Sequence, residues 1–147
     1  ICINNFLSMG LSVLIVGKYT NEFYNSLKNF KNVEFTGVQP RDKLPQIYSK
    51  AEYGLNYTPN VYPFNLQDSL KTKEYCAVGL KIISNKYYWV KNFCKTRNGN
   101  FLWLHNIKKR DDIHSFDYVT PNVRDLMWNT ILEKCDFYNF IKSNLEG

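Results

Sequence analysis

Asn65-Leu66-Gln67-Asp68-Ser69-Leu70-Lys71-Thr72-Lys73-Glu74-Tyr75-Cys76-Ala77-Val78-Gly79-Leu80-Lys81-Ile82-Ile83-Ser84 packs a loop, a short helix and a strand into twenty consecutive residues. Asp68 or Ser69 can cap a helix that begins near Leu70, and the unbonded N–H groups and positive dipole end of such a helix attract phosphate. Lys71 stands in the first turn beside them. Gly79 stops the helix, since a left-handed glycine just past the last turn closes it without strain, and the chain then enters the β-branched run Ile82-Ile83. Glu74 lies about a turn and a half into the helix, where a carboxylate can accept hydrogen bonds from a pair of sugar hydroxyls. Phosphate and sugar together describe a nucleotide. The plainer reading of the same residues is a capped helix before a buried strand, with Lys71 and Glu74 as a solvated ion pair.

Working outward, apolar runs and punctuation predict strands at Ser12 to Val16, Asn32 to Phe35, Tyr53 to Tyr57, Lys81 to Ser84 and Asn100 to Leu104. Between them, Asn21 to Phe30 places Phe23, Leu27 and Phe30 at helical spacing, and Pro45 to Lys50 opens with a proline suited to a first turn. Alternation of strand and helix predicts an α/β fold with a mainly parallel sheet wrapped on both faces. Ligands of such folds sit beyond the carboxyl ends of the strands, where the Gly17, Gly37, Thr58-Pro59 and Ser69 loops all fall. Asn106 to Ser115 reads as a connector. From Pro121 onward Val123, Leu126, Met127, Ile131, Leu132, Cys135, Tyr138 and Ile141 predict one amphipathic helix to about residue 142, its stripe a packing face against the sheet or an absent domain.

At 147 residues, 44% hydrophobic and 22% charged, the chain has the length and composition of one globular domain, without a run of apolar residues that would span a membrane. Residues 1 to 16 lack the basic start and cleavage site of a signal peptide, and a chain starting at Ile1 reads as an excised piece. The net charge of +6 comes from basic residues spread in ones and twos, and the one run, Lys108-Lys109-Arg110, is neutralised by Asp111-Asp112. A contiguous nucleic-acid face is therefore not expected. Cys2, Cys76, Cys94 and Cys135 form no C-x-x-C pair and lie far in sequence from His105 and His114. No metal or cofactor is read from them. Cys76 and Cys135 fit buried helix faces as small hydrophobes, in a reducing cytoplasm.

Ser69-Leu70-Lys71, Glu74-Tyr75 and Ala77-Val78-Gly79-Leu80-Lys81-Ile82-Ile83-Ser84 resemble the S-x-K-x-x-E-Y-x-A-x-G-x-P-V-I segment of GT-B glycosyltransferases, especially the retaining family 4. Leu11-Ser12-Val13-Leu14-Ile15-Val16-Gly17, Val33-Glu34-Phe35-Thr36-Gly37-Val38 and Ile47-Tyr48-Ser49-Lys50-Ala51-Glu52-Tyr53-Gly54-Leu55 resemble three more stations of that family, in its order. The resemblance covers residues 11 to 104 and implies the C-terminal, donor-binding half of a GT-B fold, a Rossmann-like three-layer sandwich. It divides the chain into the end of a truncated first helix (1–10), a Rossmann-like core (11–104), a connector (105–120) and a C-terminal helix (121–142).

The implied substrate is a nucleoside-diphosphate sugar, and the implied reaction is transfer of its sugar to a glycan or lipid-linked acceptor in cell-surface polysaccharide synthesis. By the same resemblance Glu74 holds the donor ribose, while Ser69, Leu70 and Lys71 receive the diphosphate. Thr36-Gly37-Val38 flanks the nucleobase, and Gly17-Lys18 lies at the neighbouring strand end. Leu66 occupies the place of a sugar-contacting glutamate common in the family, which leaves Gln67 and Asp68 to face the sugar. The N-terminal acceptor-binding domain is absent, so the chain alone is expected to be inactive. So is the family's first strand, which predicts a gap, an edge or a substitute pairing between the Ser12 and Tyr53 strands. The basic charge also suits an intact enzyme working at the inner face of an anionic membrane. A receiver-like or flavodoxin-like module is the first alternative on the same strand pattern, and a basic nucleic-acid-binding domain, against which the scattered lysines argue, is the second. The first calls for acidic residues or a phosphate loop at the first strand end, and Lys18-Tyr19-Thr20 offers neither.

Overall fold

The computed structural model describes residues 2–145; Ile1, where the excised-piece reading begins, lies outside them. In chain order the elements are α1 (Cys2–Ser8), β1 (Val13–Val16), α2 (Asn21–Leu27), β2 (Val33–Gly37), a 3-10 turn (Arg41–Lys43), α3 (Leu44–Tyr48) and β3 (Tyr53–Asn56). There follow a 3-10 turn (Phe64–Leu66), α4 (Leu70–Ala77), β4 (Lys81–Ser84), α5 (Tyr88–Thr96), β5 (Leu102–Trp103), α6 (Arg110–His114), α7 (Trp128–Lys134) and α8 (Phe137–Leu145). The protein is an α/β chain of parallel-strand sheets and helices, an arrangement compatible with a Rossmann-like fold.

The strands form two sheets. β1 and β2 pair in parallel, and β3, β4 and β5 make a separate parallel set in the order β3-β4-β5. The break thus falls between β1 and β3, where the sequence reading expects a gap, an edge or a substitute pairing. Val13 of β1 and Tyr53 and Leu55 of β3 nevertheless pack against one cluster, centred on Phe6, Ile83, Leu102 and Ile113. Beside it lies a cavity of about 820 Å³ lined by residues that include Phe6, Phe23, Leu27, Leu55, Tyr57 and Leu104.

Successive side chains of a strand point to opposite faces, and β4 shows it. Ile82 joins Cys76 of α4 and Val90, Phe93 and Cys94 of α5 on one side, whereas Ile83 joins Phe6 of α1 and Ile113 of α6 on the other. On the smaller sheet Tyr19 and Tyr24 set their rings edge-on against Phe35, 4.9 and 5.0 Å between centroids, and Phe23 follows at 6.4 Å.

Three sequence expectations change. Residues 88–96, assigned no element from sequence, form α5. Its aromatic start disfavours helix, but Val90, Phe93 and Cys94 fall on one buried face and packing decides. The connector holds the short α6, opened by the Asp112 carboxylate, which accepts from the N–H groups of Lys108 and Lys109. The single C-terminal helix of 121–142 is instead a 3-10 turn at Arg124–Leu126 followed by α7 and α8. Asp136, in the left-handed region at φ 54°, separates the last two. Its apolar stripe packs within this structure only at its start, where Val123 is buried and Leu126 lies against the Val90 and Phe93 cluster, whereas Met127 and Tyr138 are more than half exposed. Cys135 is exposed too, while Cys76 is buried as expected. No described helix is long and apolar enough to cross a membrane.

The open edges can be read residue by residue. Val13 and Gly17 donate to β2 and its flank, and Asn56 accepts from Asn85 on the β4 side. By alternation the amides of Leu14, Val16, Tyr53 and Leu55 point to the unpaired edges. Hydrogen exchange followed by NMR should find these four faster than Val13, Ile15, Gly54 and Asn56; equal protection across both sets would contradict the split.

Candidate functional site

The strand ends and the start of α4 supply the site. Ser69 is the helix cap: its backbone is extended and its Oγ accepts from the Thr72 N–H at 3.2 Å. Gly79, at φ 77°, ends the helix in a conformation that a residue bearing Cβ would strain to adopt. Of the two cap candidates Ser69 is the one used, and Asp68, just before it, pairs with Lys73.

Ser69 does more than cap. Its Oγ also accepts from the Thr72 hydroxyl at 2.9 Å and donates to Asn56 Oδ1 at 3.2 Å. A serine hydroxyl has one proton and two lone pairs, so all three are in use. A phosphate arriving here would therefore meet the N–H groups of Leu70 and Lys71 rather than the Ser69 side chain. The Lys71 ammonium has no carboxylate among the described residues within ion-pair distance, which corrects the Lys71–Glu74 pair of the plainer reading. Lys71 reaches solvent, yet the protein around it desolvates it enough to lower its pKa from the usual lysine value.

Glu74 is set by its neighbours. Its side chain is 28% exposed, and its carboxylate accepts from Arg41 Nη2 at 3.5 Å and from the Tyr48 hydroxyl at 3.4 Å. Tyr48 in turn stands edge-on to the Tyr75 ring, 5.2 Å between centroids. Burial, the Glu74 charge and its hydrogen bond raise the Tyr48 pKa, so the phenol stays a donor at neutral pH. With Arg41 three-quarters exposed, its pair with Glu74 is worth about 0–1 kcal/mol, too little to bar a ligand that brings its own hydroxyls.

Beneath these groups Tyr75 lies on β3. A Cβ at Gly54 would strike its ring, at Cδ2 and at 2.7 and 2.9 Å from Cγ and Cε2. The missing side chain is what lets α4 settle on the strand.

The other expected residues lie on the β1–β2 sheet. The Gly17 N–H donates to the Gly37 carbonyl at 2.8 Å, which places the two strand ends side by side, and Val38 beyond them is 67% exposed. Among the described residues no hydrogen bond or ion pair joins Gly17, Lys18 or Val38 to α4. Arg41, a few residues past Gly37, makes the connection through Glu74. Gln67 is exposed, as are Leu66 and Leu70. The arrangement is an open rim with amide donors, an uncompensated cation and a held carboxylate.

Arg41, Tyr48 and Asn56 are the participants that sequence reasoning missed. Tyr48 falls inside a recognised station without a role attached to it. Asn56 carries a sequence signal of its own, since asparagine is disfavoured in strands and follows directly on Leu55. Compared with known proteins, the chain matched no family model, no curated protein and no solved structure.

Gly54→Ala should destabilise the fold by about 1–3 kcal/mol through overpacking against Tyr75. Urea denaturation measures the loss, and a variant as stable as the parent would show that Tyr75 does not depend on the gap.

Proposed function

We propose that this chain is the donor-binding part of a glycosyltransferase, the C-terminal half of a GT-B enzyme resembling family 4. The enzyme would move a sugar from a nucleoside diphosphate to a glycan or lipid-linked acceptor. The observation that carries the reading is the pairing, on one short helix, of two kinds of group a nucleotide needs. The Leu70 and Lys71 amides and the Lys71 charge open α4, and a half-buried carboxylate at Glu74 is held one turn further along. The order of resembling stations from Leu11 to Ser84 supports it, as does the parallel arrangement with its break between β1 and β3.

In this reading the diphosphate meets the start of α4 and the ribose hydroxyls donate to Glu74, displacing Arg41. The nucleobase lies along the Gly37–Val38 turn, and Gln67 and Asp68 face the sugar. The acceptor belongs to a second domain, so this chain binds donor and transfers nothing. An open rim holds its ligand through few contacts, each worth about 1 kcal/mol, and affinity near the millimolar range follows.

Ligand-observed NMR with UDP-, GDP- and ADP-sugars should detect binding of at least one to the parent chain. Glu74→Ala should weaken it about tenfold, the factor that about 1.4 kcal/mol represents. No binding by any of them, or equal binding by parent and variant, overturns the assignment.

A further inference from the structure

Behind the start of α4 lies a set of polar side chains where an apolar core would be expected. Asn56, Ser84 and Thr72 are 0% exposed and Tyr87 is 1% exposed. They come from the ends of β3 and β4, from α4 and from the residue that precedes α5. Asn56 Nδ2 donates to Ser84 Oγ at 2.9 Å and to the Tyr87 hydroxyl at 3.2 Å, while its Oδ1 accepts from Ser69. The Ser84 hydroxyl donates to the Asn85 carbonyl at 2.9 Å. Asn85 then clamps the chain leaving β3, accepting from the Thr58 N–H at 2.9 Å and donating to the Thr58 carbonyl at 2.6 Å.

Burying so many polar groups is unfavourable unless each is satisfied, and apolar side chains would fill the same space at less cost. What the network supplies is direction. Asn56 takes the one proton of Ser69, so both Ser69 lone pairs are left for Thr72 and the hydroxyl is locked inward. The first turn of α4 is thereby fixed with respect to β3 and β4, leaving Leu70 and Lys71 N–H groups outward without a side-chain cap competing for them.

We propose that Asn56 is a positioning residue: through Ser69 it aims the Leu70 and Lys71 amides at the phosphates of a nucleotide. The assignment rests on the donor-site reading and adds to it the residue, remote from the ligand, on which phosphate recognition depends. Its consequence is selective. Loss of Asn56 should weaken ligands that carry a diphosphate and leave untouched the contacts of ribose and base, which belong to Glu74 and the Gly37–Val38 turn.

The test compares uridine, guanosine and adenosine with UDP, GDP and ADP on the parent chain and on Asn56→Ala, by NMR titration. The diphosphates should lose about five- to tenfold in affinity, and the nucleosides should not change. Asn56→Asp keeps the acceptor for Ser69 but adds a carboxylate behind the phosphates. Relative to the parent at each pH, its diphosphate affinity should fall as pH rises from 5 to 8, while that of the nucleosides stays level. Tyr87→Phe, which removes one hydroxyl and keeps the ring, serves if Asn56→Ala does not fold, with a smaller loss again confined to the diphosphates. Equal loss for nucleosides and diphosphates, or no loss for either, overturns the proposal. If the parent binds no nucleotide, the donor-site reading fails on its own. Inorganic pyrophosphate then decides the positioning role: it should shift the Leu70 and Lys71 amide resonances in the parent and not in Asn56→Ala. No shift in the parent, or equal shifts in both, overturns it.

Discussion

The ring of Tyr75 resting on the bare backbone of Gly54 is the contact on which the candidate site depends. Helix and strand approach closely only because no Cβ stands between them. Tyr75 then offers its ring to the edge of Tyr48, and Tyr48 reaches the carboxylate one residue before Tyr75. Adjacent helical residues point about 100° apart, so seating Tyr75 inward turns Glu74 toward the side where α3 and Arg41 lie. A glycine in β3 thus determines where a carboxylate in α4 faces. Burial also holds the Tyr75 phenol well above its usual pKa, so no second charge forms beside Glu74 in the physiological range.

The start of α4 is governed by a different force. Apolar packing holds its last turn, with Cys76 in the same cluster as Val90 and Phe93, while hydrogen bonds hold its first turn. Packing fixes which face of the helix is seated, and the hydrogen bonds add direction at its first turn. Thr72 shows the combination in one residue, fully buried on the core side with both its N–H and its hydroxyl committed to Ser69.

What could be read from sequence follows the strength of the local signals. Strand–helix alternation, the Ser69 cap and the Gly79 stop all combine a residue preference with a pattern over several positions, and all three appear in the structure. β5 is shorter than expected, because Asn100 leaves the parallel register for an antiparallel bridge to Val119, a partner distant in sequence. α5 escaped because its helix pattern is written in aromatic and β-branched residues whose intrinsic preference opposes it. The C-terminal stripe misled in the opposite way. Periodicity across 121–142 continues through Asp136, yet a left-handed residue there ends one helix and starts another. Arg41 and Tyr48 were illegible as site residues since their role exists only through contacts with Glu74, more than twenty positions away.

The separation of the strands into two sheets gives the rim its mechanical character. β1 and β2 carry the Gly17 and Gly37 turns, whereas β3 and β4 carry α4, and no ladder hydrogen bond crosses between them. The apolar cluster around Phe6 holds the two sets together but is not directional, since hydrophobic contact constrains distance more than register. Among the described residues the directional links at the rim are the exposed Arg41–Glu74 pair, whose contribution is small, and the hydrogen bond from Tyr48 to Glu74. A ligand that engaged both the Gly37 turn and α4 would add directional bonds where the protein has almost none. Under the donor-site reading, the nucleotide is then part of what orders the rim, and some of its binding free energy is spent on that ordering rather than on affinity. Weak binding and a split sheet are, on this view, two expressions of one missing set of backbone hydrogen bonds.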